Sequence, residues 1–510
     1  MSLQSSLSIA VSGLANINRQ LATVSQNVSN AETAGYTRKT RPQEAVVADG
    51  IGMGVRTGTL ARVMDEALRA DLARRDATLA GLSARESLLR TIEAAHGAAE
   101  QADSMGNLIG ELRNAFTVLQ SDPASSAQQS GIVMAADALA RRINAVANAV
   151  TGARQQAQDG IVDGIGQLND TLAAISDLTA SIKTAKLLGR DSADLEDLRD
   201  RQMNIAAELI DARFVKQADG GLSAFTATGV MLPLDGSRPF ATSGAVMGPQ
   251  AYSPGGGIPP ITLHGADVTA SLTGGRIGAL LEMRDATLPA YQAQLDELAQ
   301  KLAYRFEQQG LRLFIRPGAA DPVPDPAAAP PTQAPYVGFA QVIAVNPDVA
   351  ADPRLIRDGT HALSVAAGDL RDFTPNPSTG PQGFTDLLDH IVDHVFGTEA
   401  AAGVPHAAFI TAGQGPDGTI ALTDLPDVGL GAFAGNLVAS QTADRADATA
   451  RISREGAVRD LLHQRLADQS GVNVDQEMAT MITLQNAYSA NARVIAAVQD
   501  MWDALLASVR

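Results

Sequence analysis

The chain has 510 residues, 45% hydrophobic but only 4% aromatic, and a formal charge of −17. That charge argues against nucleic acid or an anionic membrane as partner. The lack of cysteine excludes disulfides, thiolate metal sites and cysteine nucleophiles. No run of about 18 apolar residues offers a membrane span, so no membrane insertion is expected.

From the N-terminus, Leu3, Leu7, Ala10, Leu14, Ile17, Leu21, Val24 and Val28 alternate by four and three, which is a heptad stripe on one helix. Ser2 is its candidate cap and Gly35 a stop beyond it. Polar residues interrupt the apolar ones and the first basic residue is Arg19, so no cleavable signal is expected. Residues 49–55 carry glycines without dinucleotide-loop spacing and read as a flexible turn.

Residues from about 64 to 210 read as strongly helical. Leu68, Leu72, Leu79, Leu82 and Leu89 mark one stripe. Asp122-Pro123 is a break, and a long helix is expected from about 125 to 186. Ile161, Ile165, Leu168, Leu172, Ile175 and Ile182 lie on one of its faces, and Gly189 ends it. A further helix carries Leu195, Leu198, Ile205 and Leu209. The pattern then changes. Residues 214–234 are rich in Gly, Thr, Val and Phe with turn pairs at Asp219-Gly220 and Asp235-Gly236, which predicts a small β element within about 213–275.

Helix returns from about 278 to 309, and the Pro/Ala-rich stretch 319–335 reads as a linker. Residues 336–440 read as a separate mixed segment with one helix near 384–396. Helix resumes after Leu437. Gly471 breaks it, and Asn473 with Gln476 opens the last helix as a capping-box variant. There Met481, Leu484, Tyr488, Asn491, Ile495, Val498, Trp502, Leu505 and Val509 keep the three-four rhythm, with Asn491 as a polar residue able to set register.

The expected fold is mainly α with β-containing insertions, elongated and multidomain. Residues 1–60 and 470–510 form a terminal coiled-coil domain of paired helices. Residues 61–335 and 441–469 form a long helical bundle, and 336–440 form an outer mixed α/β or β domain. Two matched stripes at the chain ends can pair only with each other or with other subunits. A pair of about four heptads is marginal alone, so ordering on assembly is expected.

Chemistry is sparse. His390 and His394 stand i, i+4 with Asp386, Asp389 and Asp393 nearby, a spacing that can hold zinc from one helix face. Ile391 occupies the place where a zinc hydrolase carries its glutamate. Two ordinary histidines on an acidic helix are the plainer reading. No phosphate loop and no nucleophile elbow occur. Neither a catalytic residue, nor a cofactor, nor a metal is expected.

One resemblance is specific. Ser29 to Thr37, reading SNAETAGYT with Asn30, Thr33, Gly35 and Tyr36, resembles the signature of bacterial flagellar rod–hook axial proteins. So do Val472 to Met478, reading VNVDQEM, and Gln485 to Ile495, reading QNAYSANARVI. In the middle, Asp194 to Asp200 (DLEDLRD) and Gly274 to Leu281 (GGRIGALL), with Arg284-Asp285, resemble the hook–filament junction members of that family, and Asn346-Pro347 with Ala351-Asp352-Pro353 matches more weakly. The resemblance implies a structural subunit exported unfolded, without a cleaved signal, through the flagellar type III channel. It implies self-assembly into a ring or short helix through the terminal helices. The residues implied in that contact are Leu3, Leu7, Leu14, Ile17, Leu21, Val24, Val28, Met481, Leu484, Tyr488, Ile495, Val498, Trp502 and Leu505. The implied partners are the hook protein, the second hook-associated junction protein, and an export chaperone on the C-terminal helix. A hook or distal-rod subunit is the alternative within the family. A metal-dependent activity in 336–440 is the alternative outside it.

Overall fold

The computed structural model describes residues 3–33, 35–48, 51–97, 104–325, 333–421 and 428–508. Ser2 and Val509 lie outside them. The chain is mainly helical, and nine longer helices carry it among the described residues: α1 (Leu3–Ser29), α2 (Glu66–His96), α3 (Met105–Ser121), α4 (Ser126–Leu187), α5 (Ala193–Ile210), α6 (Gly275–Glu282), α7 (Leu288–Glu307), α8 (Leu430–Ser470) and α9 (Val474–Ser508).

Local chemistry explains the boundaries. The Asp65 carboxylate accepts from the amides of Ala67 and Leu68 to cap α2, and Ser125 Oγ accepts from Gln128 N to cap α4. The 62 residues of α4 span roughly 90 Å. Its apolar face is buried along its length, including Ile161, Ile165, Leu168, Leu172, Ile175 and Ile182. Against it pack α3, α5, α6 and α7. The α2 helix runs antiparallel to α8, with Arg75–Glu455 at 2.8 Å and Arg445–Glu86 at 3.2 Å. A wide π-type turn, Met283–Thr287, joins α6 to α7.

The strands are short. The first four are β1 (Lys39–Thr40), β2 (Gln43–Ala48), β3 (Ile51–Thr57) and β4 (Ala61–Arg62). A small antiparallel sheet follows where the β element is expected: β5 (Arg213–Lys216), β6 (Leu222–Phe225) and β7 (Met231–Leu232). The Asp219-Gly220 turn joins β5 to β6, with Gly220 at φ +91°.

Three expectations need correction. Residues 336–440 are not set apart. Phe396 lies 5.8 Å from Phe306 of α7 and 6.4 Å from Phe116 of α3 (ring centroids), and Phe409 stacks on Phe433 of α8 at 4.0 Å. One apolar core runs through both regions, and α8 itself crosses position 440. The 319–335 stretch is not a free linker at its described ends. Gln300 Nε2 donates to Pro324 O, and Gln333 Nε2 donates to Ala293 O. Residues 326–332 lie outside the described residues.

The third correction concerns 49–55. Asp49 and Gly50 are outside the described residues, but the chain on either side is a paired hairpin. Val46 pairs with Gly54 and Val47 with Gly52, so Met53 is the extra residue of a bulge. Gly54 adopts φ +114°, and a Cβ there would lie 2.3 Å from Ser12 Oγ of α1. That hydroxyl accepts from Val55 N at 3.2 Å. Glycine is needed because backbone seats directly on a helix. Gly54→Ala should therefore destabilise the hairpin's seat by about 1–3 kcal/mol, seen as faster amide exchange across 43–57; unchanged exchange would refute the close approach.

Candidate assembly interface

The helices α1 and α9 pack against each other within the chain. Asn27 meets Glu477 at 3.1 Å, and a Cβ on Gly13 would sit 3.2 Å from Asn491 Oδ1. Both pairs of numbers add to 504, so the helices run antiparallel in one register. Asn491, the polar stripe residue, sits opposite Gly13, and its Nδ2 donates to Ala487 O. Asn473 Oδ1 accepts from Gln476 N at 3.0 Å and caps α9.

The predicted interface residues divide by burial. Ile17 and Val24 are 7% and 6% exposed and Val498 is 4% exposed, so the intrachain pair consumes them. Leu3, Leu7, Leu14, Leu21, Val28, Met481, Leu484 and Ile495 are half-buried. Tyr488, Trp502 and Leu505 remain exposed. A second set on α9, off the heptad seam, is also exposed: Met478, Ile482, Val494, Met501 and Leu506; exposed Val474 continues the seam one heptad before Met481. Periodicity of 3.5 selects one seam, so apolar residues off that seam carried no signal. Burying each such side chain contributes roughly 1.5–3 kcal/mol, which a single chain leaves unused.

At the base of the pair lies a polar joint. Asn27 is 1% exposed and uses its whole amide. Its Nδ2 donates to Lys39 O at 2.9 Å and to Glu477 Oε2. Its Oδ1 accepts from Lys39 N at 3.1 Å and from the Tyr36 hydroxyl at 3.0 Å. Arg38 pairs with Glu477 at 2.7 Å, and its amide donates to Ser470 O. The Lys39 side chain is fully buried over the Tyr36 ring, 3.7 Å from its centroid, between Asp194 and Asp197 of α5.

The DLEDLRD segment of α5 thus gathers the bases of the terminal loop. Asp197 accepts from Thr37 Oγ1 at 2.7 Å and pairs with Arg62 at 3.1 Å. Asp200 takes Arg62 at 2.9 Å and Lys216 at 2.9 Å. Burial pushes the Asp200 carboxyl up, but Arg69, Arg62 and Lys216 hold it below the usual carboxylate range. Burial likewise opposes ionisation of Glu196, and Arg62 and Lys186 bring it down. The Tyr36 hydroxyl is pushed far up by burial and then by Asp194, Asp197 and Glu477, so it stays a neutral donor.

The family-motif residues frame this joint. Asn30 Nδ2 donates to Gln26 O and its Oδ1 accepts from Thr33 Oγ1, closing the turn after α1. Gly35 turns the chain at φ +75° against the Arg201 side chain. Asn27, Arg38, Lys39 and Arg62 were not legible as site residues; a buried lysine is the exception to the rule that reading relies on.

The histidine pair offers less. The His390 and His394 rings lie 5.4 Å apart. Asp386 is held by Arg371 and Asp389 by Gln120. Among the described residues, no group of three or more His, Cys, Asp or Glu side chains is placed to hold a metal.

Comparison with known proteins agrees with this architecture. Residues 91–313 match the model of the flagellar hook-associated protein FlgK helical domain, and residues 464–508 match that of the flagellar basal body rod FlgEFG protein C-terminal region. The chain is 23% identical to flagellar hook-associated protein 1 of Salmonella typhimurium, over 99% of this chain and 100% of that one. It is 24% identical to the protein of the same name from Escherichia coli, with the same coverage. The structure of the flagellar hook junction protein FlgK from Burkholderia pseudomallei superposes with a TM-score of 0.53 at 15% identity, covering 78% of this chain and 99% of that one, so the fold is shared.

Proposed function

We propose, from the chain's full-length similarity to flagellar hook-associated protein 1 and its match to the FlgK helical domain, that it is a structural subunit of the bacterial flagellum joining hook to filament through its terminal helices. The observation that carries the reading is the antiparallel α1–α9 pair, joined to the body through a buried polar joint and clad outside in exposed apolar side chains. Such a pair is marginal alone, and neighbours that cover its outer face offset the cost of ordering it. The helical body forms the outer wall. Copies of the same chain, the hook protein and the second junction protein are the proposed contacts. An export chaperone holds α9 before assembly, and the chain leaves the cell unfolded through the flagellar channel. The helical-domain match at 91–313 favours the junction over a hook or rod subunit, because the rod-type match is confined to the shared C-terminal region. Similarity to flagellar structural proteins favours assembly over catalysis.

Removing residues 3–28 should leave a folded helical body that no longer binds purified hooks. Binding by that truncation at wild-type affinity would reject the terminal seam, and labelling of wild-type protein along the hook body rather than its tip would favour the rod or hook alternative.

A further inference from the structure

The turn between α4 and α5 carries an apolar, basic tip that its own chain leaves open. Leu187 and Leu188 are 88% and 57% exposed. Residues 183–191 include Lys183, Lys186 and Arg190 against Asp191, a net +2 within a chain of −17. Lys183 holds Asp219 at 3.5 Å and Lys186 holds Glu196 at 3.1 Å, yet both stay partly exposed. Arg190 is exposed beside them. Beside Leu187 opens a shallow recess of about 490 Å³, bounded by Lys183, Thr184, Lys186, Ala218 and Asp219.

The final turns of α9 have the complementary character. Met501, Trp502, Leu505 and Leu506 are exposed. Asp500 and Asp503 are exposed beside them, and no basic residue occurs from 494 to 508. The two surfaces cannot meet within one molecule. Asp194 accepts from Gln26 Nε2 at 3.1 Å, and Asp191 accepts from Leu60 N at 2.9 Å, so the tip is level with the last turns of α1. The antiparallel register sets Trp502 beside the first turn of α1, roughly 35 Å away at 1.5 Å per residue.

We propose that the α4–α5 tip of one copy receives the last turns of α9 from a second copy. This rests on the self-assembly stated above and names its seat. Two unlike patches that fit each other make a heterologous contact, which propagates head to tail into rings or helices rather than stopping at a dimer. Trp502, the single tryptophan of the chain, is the residue type that most often anchors such contacts once desolvated. The lysines and Arg190 face Asp500 and Asp503 across it, which steers the approach and sets its direction.

The native chain has no cysteine, so single thiols report cleanly. Full-length Leu188→Cys and Leu505→Cys chains, mixed equally, assembled on purified hooks and oxidised, should give a covalent heterodimer. Neither variant alone should cross-link. In parallel, Arg190→Glu should weaken hook binding about tenfold, and Asp503→Arg in the same chain should restore most of it. Assemblies that form normally without the heterodimer, or an Arg190→Glu defect that Asp503→Arg does not relieve, would overturn the seat and leave the self-assembly reading standing. Failure of the wild-type chain to assemble would overturn both. Unchanged melting of the monomeric variants separates a lost contact from a lost fold.

Discussion

Replacing Asn27 by alanine should cost about 3–5 kcal/mol and loosen the terminal pair from the body. The substitution leaves the amide and carbonyl of Lys39, the Tyr36 hydroxyl and one Glu477 oxygen without their buried partner. Each orphaned buried group costs roughly 1–3 kcal/mol, and neighbours in one network do not add in full. Asn27→Asp should be as damaging, since it keeps the acceptor but sets a carboxylate against Glu477 and the Lys39 carbonyl. Amide exchange should quicken in α9 and at 36–40 while α4 keeps its protection. A melt within about 1 kcal/mol of wild type would mean the joint is decorative. Trp502 lies in the same terminal pair, so its fluorescence should report the loosening before helical circular dichroism falls.

Phe306→Ala should cost about 3–5 kcal/mol through the cavity it leaves. Its ring is fully buried, 5.7 Å from Phe116, 5.7 Å from Phe314 and 5.8 Å from Phe396. These partners come from α3, from the strand after α7 and from the segment near 396. The helical body and residues 336–421 should therefore unfold together in denaturant, with one midpoint shifted for both. Two separated transitions, with protease sites opening first in 336–421, would restore the idea of an independent outer domain and refute the shared core.

The sequence by itself determined where the helices run and which faces are apolar. The α4 stripe, the breaks at Asp122-Pro123 and Gly189, the Asn473 cap and both terminal helices stand in the structure where periodicity and cap chemistry put them. These are local properties, written within a few turns of chain. The motif around Asn30 and its C-terminal counterpart located the joint, although not the atoms that close it. At 49–55 short-range pattern marks a turn but not the paired strands on either side of it, because glycines carry no side chain to mark a strand face.

Only the tertiary structure decided what covers each face. A heptad stripe states that a seam is apolar, but not whether its partner is the same chain or another, nor in which direction it runs; the antiparallel register came from Gly13 opposite Asn491 and Asn27 opposite Glu477. The joint unites residues far apart in the chain, and Lys39 is tolerated inside it because Asp194 and Asp197 arrive from α5. The segment 336–440 looked separate because its turns are rich in Gly, Pro and Asp, yet Phe396 and Phe409 had no core of their own to enter. They took the one already built by α3, α7 and α8, since an aromatic ring of that size is stabilised more by an existing apolar interior than by a small one assembled from short strands.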